Sequence, residues 1–187
     1  MTRTITIALA LLALAACNKE PKVKAENATV AEVAAKVQQS GAGQDMRFQP
    51  GEWKVVSEAK LVEATGMPAG VADKMREAMQ HSSTETQCLT PEQAARPSSE
   101  MFAGKQNSTC KYDKFEMGGG VIKAELHCPG GAGSQMAMTM DGRYTPTSYT
   151  MDAAMNMQAP GSGQGMKMAV HSVGTRVGEC SGAAKGK

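Results

Sequence analysis

The feature that most limits how this chain can fold is a series of apolar–polar alternations in its second half, broken by turn residues. Residues 108–117, 121–128, 134–143, 148–157 and 165–177 each read as a strand. Gly118-Gly119-Gly120, Pro129-Gly130-Gly131, Asp141-Gly142 and Pro160-Gly161-Ser162-Gly163 read as the turns between them. Successive strands joined by short turns pair antiparallel, so this half should form a meander. Upstream, the chain from Trp53 to Ala64 suits a first long strand, which Gly66-Met67-Pro68 ends. Residues 68–80 suit a short amphipathic helix with Val71, Met75 and Met79 on one face. Residues 82–89 read as a strand, and Thr90-Pro91 as the N-cap and first position of a helical turn through Ala95. The expected fold is mainly β (α+β). It is an antiparallel curved sheet or partly open barrel with one or two short helices, built from residues 48–181.

The N-terminus carries a different signal. One cation, Arg3, precedes an apolar run from Ile5 to Leu14 that only Thr6 interrupts, and Leu14-Ala15-Ala16-Cys17 closes it. The run is about half the ~20 residues that span a bilayer, so it suits a cleaved secretory leader over residues 1–16. The small residues before Cys17 match the bacterial lipobox. That resemblance implies a diacylglycerol on the Cys17 sulfur and a membrane anchor. An aspartate after the modified cysteine retains such proteins at the inner membrane. Asn18 therefore points to the periplasmic face of the outer membrane. Residues 17–47 are expected to be a lipidated spacer: polar and flexible over 18–27, then a helix over 28–40. The apolar face of that helix, Val30, Val33, Ala34 and Val37, is narrow and should dock loosely. Residues 182–187 read as a disordered tail.

Beyond Cys17 the cysteines are Cys88, Cys110, Cys128 and Cys180. An even number in an exported chain reads as two disulfides, with three possible connectivities. Cys110–Cys128 is favoured because the pair brackets two strands around the triple glycine, and Cys88–Cys180 because it would tie the end of the domain to its middle. A Cys/His zinc site with His81, His127 or His171 is disfavoured, since the chain has no C-x-x-C pair. Lys and Arg total 20 against 18 Asp and Glu, and aromatics make up only 4% of the chain, so nucleic-acid binding is not expected.

The 15 methionines are not scattered. Met136, Met138 and Met140 share one parity; so do Met151, Met155 and Met157, and so do Met166, Met168 and Val170. Alternate side chains of a strand share a face, so three successive strands would pool their thioethers. Methionine as core filler is the first reading, because the thioether packs into irregular gaps and the chain has only one Trp, three Tyr and three Phe. An adaptable groove for a hydrophobic ligand is the second. Binding of Cu(I) or Ag(I) by soft sulfur is the third.

No G-x-S-x-G, H-E-x-x-H, P-loop or dinucleotide fingerprint occurs, and no catalytic residue and no cofactor are expected. Asp113, Glu116, Glu125 and Asp152 fall in the strand runs, where carboxylates are mostly solvated, and His127 beside Cys128 suits a strand residue. Pro50-Gly51-Glu52-Trp53-Lys54-Val55, Gly66-Met67-Pro68, Cys88-Leu89-Thr90-Pro91-Glu92, the middle Cys110 and Cys128, the Met/Thr-alternating strands and Gly178-Glu179-Cys180 follow one another in order. Together they resemble the domain-of-unknown-function 3617 family of exported proteobacterial proteins and lipoproteins. The resemblance implies a β-rich envelope domain with paired cysteines, and implies no activity. The expectation is a non-enzymatic envelope lipoprotein that binds or scaffolds. Its partners would be the membrane through its lipid anchor and a small hydrophobic ligand or an envelope protein.

Overall fold

The computed structural model describes residues 21–95 and 109–181. The expected leader, Cys17, the start of the spacer, Ser108 at the head of the first meander strand and the 182–187 tail lie outside the described residues.

Eight strands form one open sheet: β1 (Val23–Thr29), β2 (Gly51–Thr65), β3 (His81–Leu89), β4 (Lys111–Gly118), β5 (Val121–Pro129), β6 (Gln135–Thr145), β7 (Ser148–Gln158) and β8 (Gly165–Gly178). Their order is β1-β4-β5-β6-β7-β8-β2-β3, and every neighbouring pair is antiparallel. The expected meander is β4 to β8. Gly119 and Gly120, with φ of 62° and 83°, make the β4–β5 turn; only glycine adopts this left-handed pair cheaply. Among the described residues four α-helices accompany the sheet: α1 (Val30–Ser40), α2 (Ala42–Asp45), α3 (Ala69–Met79) and α4 (Pro91–Ala95). No helix among the described residues is long and apolar enough to cross a membrane.

The stretch expected to be a polar spacer is a correction. Residues 23–29 form an edge strand paired with β4, in register from Val23 opposite Met117 to Thr29 opposite Lys111. Val23, Ala25 and Ala28 are buried; Asn27, at φ 49°, shifts the alternation by one residue. Thr29 then caps α1. Its hydroxyl accepts the Glu32 amide at 3.2 Å while Glu32 accepts the Thr29 amide at 2.7 Å, a reciprocal box that starts a helix where an edge strand stops. The helix is not loosely docked either. Val33 and Val37 are buried against β1 and β4, together with Ala42 and Met46. The domain therefore begins well before residue 48.

The core is one-sided and lies toward the β1 edge. Tyr112, Phe115 and Met117 of β4 meet Ile122, Ala124 and Leu126 of β5 beneath α1. A second cluster stands on the same face at the start of β2, where Trp53 packs edge-on to Phe48 at 5.1 Å and stacks near Tyr149 at 6.3 Å. The Trp53 indole N–H donates to the Gln49 carbonyl at 3.0 Å.

Two smaller expectations change. Asp141-Gly142 is not a turn: both lie inside β6, and the β6–β7 turn comes at 146–147. Gly142 is needed there for close approach, since a Cβ would press on Met151 Sδ and Ile122 Cγ2. On α3 the buried stripe is Ala72 with Met75 and Met79 half-buried, and Val71 stands 48% exposed. The small Ala72 side chain lets the helix lie close on β2, its main contact. Val62, 55% exposed, sits in a bulge of β2 between Leu61 and Glu63.

Both favoured disulfides are present. Cys110 and Cys128, with Cα atoms 4.1 Å apart, stand across the head of the β4–β5 hairpin and are buried. Cys88 of β3 and Cys180, 5.5 Å apart, join the chain beyond β8 to the edge strand on the other side of β2.

Candidate functional site

The two faces of the sheet differ in chemistry. On the core face the register sets the expected methionines into rows. Met136, Met157 and Met166 are directly opposite one another on β6, β7 and β8, and so are Met138, Met155 and Met168. The result is a grid of two rows by three strands. Met140 belongs to the same face but stands opposite Ala153 and Val170, so the third row holds one sulfur only. Met136, Met138 and Met140 lean on the core cluster, whereas Met155, Met157, Met166 and Met168 are half-buried outside it. No helix among the described residues packs substantially on β6, β7 or β8. Core filling therefore accounts for the β6 methionines and Met151, and leaves Met155, Met157, Met166 and Met168 partly buried on a face that no described helix covers substantially.

The opposite face hollows into a trough of about 880 Å³ that crosses seven strands, from Lys114 on β4 to Ser82 on β3. Ala154, Ala169 and Thr139 floor it. Across its middle runs a cross-strand row: Lys123, Asp141, Asp152, His171, Glu58, Ser82. Asp141 and Asp152 are like charges directly opposite each other, an unfavourable pairing. Each carboxylate turns to its other neighbour. Lys123 Nζ reaches Asp141 at 3.2 Å and His171 Nδ1 meets Asp152 at 2.6 Å. A third such pair, His127 Nδ1 with Asp113 at 2.7 Å, lies on the same face near the Cys110–Cys128 bridge. All these side chains are about half-exposed, so each pair contributes about 0–1 kcal/mol. Among the described residues no group of three or more His, Cys, Asp or Glu is placed to hold a metal ion.

Of the carboxylates singled out in the strand runs, Glu125 and Asp152 line the trough, whereas Asp113, Glu116 and His127 do not. The alternation marked these residues as belonging to polar faces. What brings Lys123, Asp141, Asp152, His171 and Glu58 into one row is register between strands far apart in the chain.

A smaller cleft of about 200 Å³ lies between α1, the α1–α2 turn and Tyr112. Burial pushes the Tyr112 phenol up to about 12 and raises Tyr149 in the same direction. An unfolded tyrosine ionises near 10, so above that pH the unfolded state loses its proton first. Stability should be full below about pH 10 and fall as pH rises toward 12, by roughly 2–3 kcal/mol for Tyr112. Denaturant titrations at pH 8 and pH 11.5 check this. Tyr112→Phe should lose most of the slope, and an unchanged slope would show that another group causes it.

A one-sided open antiparallel sheet, stapled by two disulfides and bearing an apolar sulfur-rich face and a charged trough, defines a disulfide-stapled β-sheet domain with two chemically distinct faces. The chain belongs to the DUF3617 family of proteins of unknown function, whose model matches residues 48–180. That match excludes β1 and α1, which the structure packs into the core. No curated protein and no solved structure matches the chain significantly.

Proposed function

We propose that the chain is a non-enzymatic lipoprotein of the cell envelope, anchored at Cys17, whose working surface is the half-open methionine face. The observation that carries this is the position of Met155, Met157, Met166 and Met168. They are large apolar residues only partly buried on adjacent strands, outside the buried core cluster. A purely structural role would have α3 closing this face, and α3 packs on β2 instead. Two disulfides suit an oxidising compartment, and the lipobox supplies the route to it. Six peptide steps separate Cys17 from the start of β1, at most about 20 Å of extended chain, so the anchor would hold the sheet close to the bilayer.

The anchor is tested by metabolic labelling with an alkyne analogue of palmitate, followed by fractionation of wild type and Cys17→Ser. Wild type should carry the label and sediment with membranes, and Cys17→Ser should lose the label and remain soluble. A variant that keeps the label and still sediments would overturn the anchor.

A further inference from the structure

We propose that the methionine grid binds a soft monovalent metal ion, Cu(I) or Ag(I), through thioether sulfur. The inference rests on the reading of this face as the working surface and names its occupant. Three observations support it. The first is the donor set. Met157 lies directly between Met136 and Met166, and Met155 between Met138 and Met168. Directly opposite side chains have Cβ atoms about 5 Å apart, and successive same-face rows lie about 6.5 Å apart. Each methionine side chain has three rotatable bonds, so the three sulfurs of a row can turn onto one ion lying above the β7 methionine.

The second observation is the choice of residue. Strands favour β-branched and aromatic side chains, and straight thioethers gain little there unless packing or chemistry needs them. The largest buried cluster is elsewhere, on Tyr112, Phe115, Ile122 and Leu126 under α1, and beside the grid it is Leu61, opposite Met168, that is buried. Six consecutive same-face positions on three strands nevertheless hold sulfur. The third observation is what the face lacks. The row of lysine, carboxylates and imidazole runs along the opposite face, so no carboxylate or imidazole belongs to the two methionine rows to favour a harder divalent ion. Cys128, opposite Met136, is held in a disulfide and offers no thiolate. An acyl chain would need an apolar groove, and the cleft that Met166 lines, of about 350 Å³ at the loop end of β7 and β8, is walled by Glu63, Gln158, Gln164 and Lys167.

The test uses the full chain carrying Cys17→Ser, which removes the only cysteine outside the two disulfides. Cu(I) is offered as its bicinchoninate complex under ascorbate without oxygen, and Ag(I) nitrate is titrated separately. The protein should withdraw at least one Cu(I) from the chromophore. Met155→Leu/Met157→Leu, which breaks both rows while keeping apolar volume, should bind at least tenfold more weakly. To guard against misfolding of that variant, methyl-labelled methionine spectra of the protein without it should show Ag(I) shifts at the six grid methyls and leave Met46 and Met117 unmoved. No withdrawal of Cu(I), equal affinity in the leucine variant, or shifts away from the grid would each overturn the proposal. Anilinonaphthalene sulfonate separates the two readings. If it binds equally to both proteins while neither takes metal, the face binds apolar ligands and the metal reading fails alone. If neither probe binds, both readings fail.

Discussion

Replacing Cys88 and Cys180 together by alanine should lower the unfolding free energy by about 4–5 kcal/mol, the largest effect expected of any covalent change here. The two cysteines are 92 residues apart, so the bridge closes a loop that contains the whole β4–β8 meander. In the chain-entropy model the gain grows with loop length, and the 18-residue separation of Cys110 and Cys128 is worth only about 3 kcal/mol. Cys88 and Cys180 are half-buried, so alanine leaves no sealed cavity and the loss should come almost wholly from the freed unfolded chain. β3 depends on the bridge more than other strands do. It is an edge strand, mostly exposed along its length, and pairs only with β2 among the described residues. Guanidinium unfolding of wild type and variant measures the difference. A loss under about 2 kcal/mol would mean that the unfolded chain stays compact without the bridge.

Phe115→Ala should cost about 3–5 kcal/mol. The ring is 1% exposed and packs edge-on to Tyr112 with centroids 5.2 Å apart. Its severity comes from its neighbours. Phe115 stands directly opposite Ala25 on β1 and Ala124 on β5, so one large side chain fills space that two small ones leave. The two directly opposite neighbours are alanines and cannot fill the vacancy, which places the cost toward the upper end. Phe115→Leu, which keeps most of the volume, should cost well under half as much. Thermal and denaturant melts of both variants check the pair, and equal losses would show that the site repacks freely. β1 supplies one wall of this pocket, so the same experiment tests whether residues before the family match stabilise the domain.

Much of this architecture is legible in the chain. Alternation around Met136, Met138 and Met140 marked a strand and its apolar face. The triple glycine marked a hairpin, and its flanking cysteines marked a bridge. β1 was not legible, because Val-Lys-Ala-Glu is short and half charged, and its apolar residues are small. It is held by Phe115 and α1 beneath it, neither of which a local window contains. Gly142 misled for a related reason: Asp-Gly favours turns in isolation, but contact with Ile122 and Met151 decided its use.

The sequence alone determined which side chains share a face within each strand, because a pleated backbone alternates with a fixed period of two. It also marked the hairpin at the triple glycine and favoured the Cys110–Cys128 bridge across it, since glycine conformations and short loops are local. Only the tertiary structure decided that thioethers from three strands align into rows and that Asp141 faces Asp152 above a trough. It alone decided that an edge strand from before residue 48 closes the core. Those outcomes depend on inter-strand register and on burial against residues up to a hundred positions away, and the free energy that selects them exists only once the whole sheet has formed.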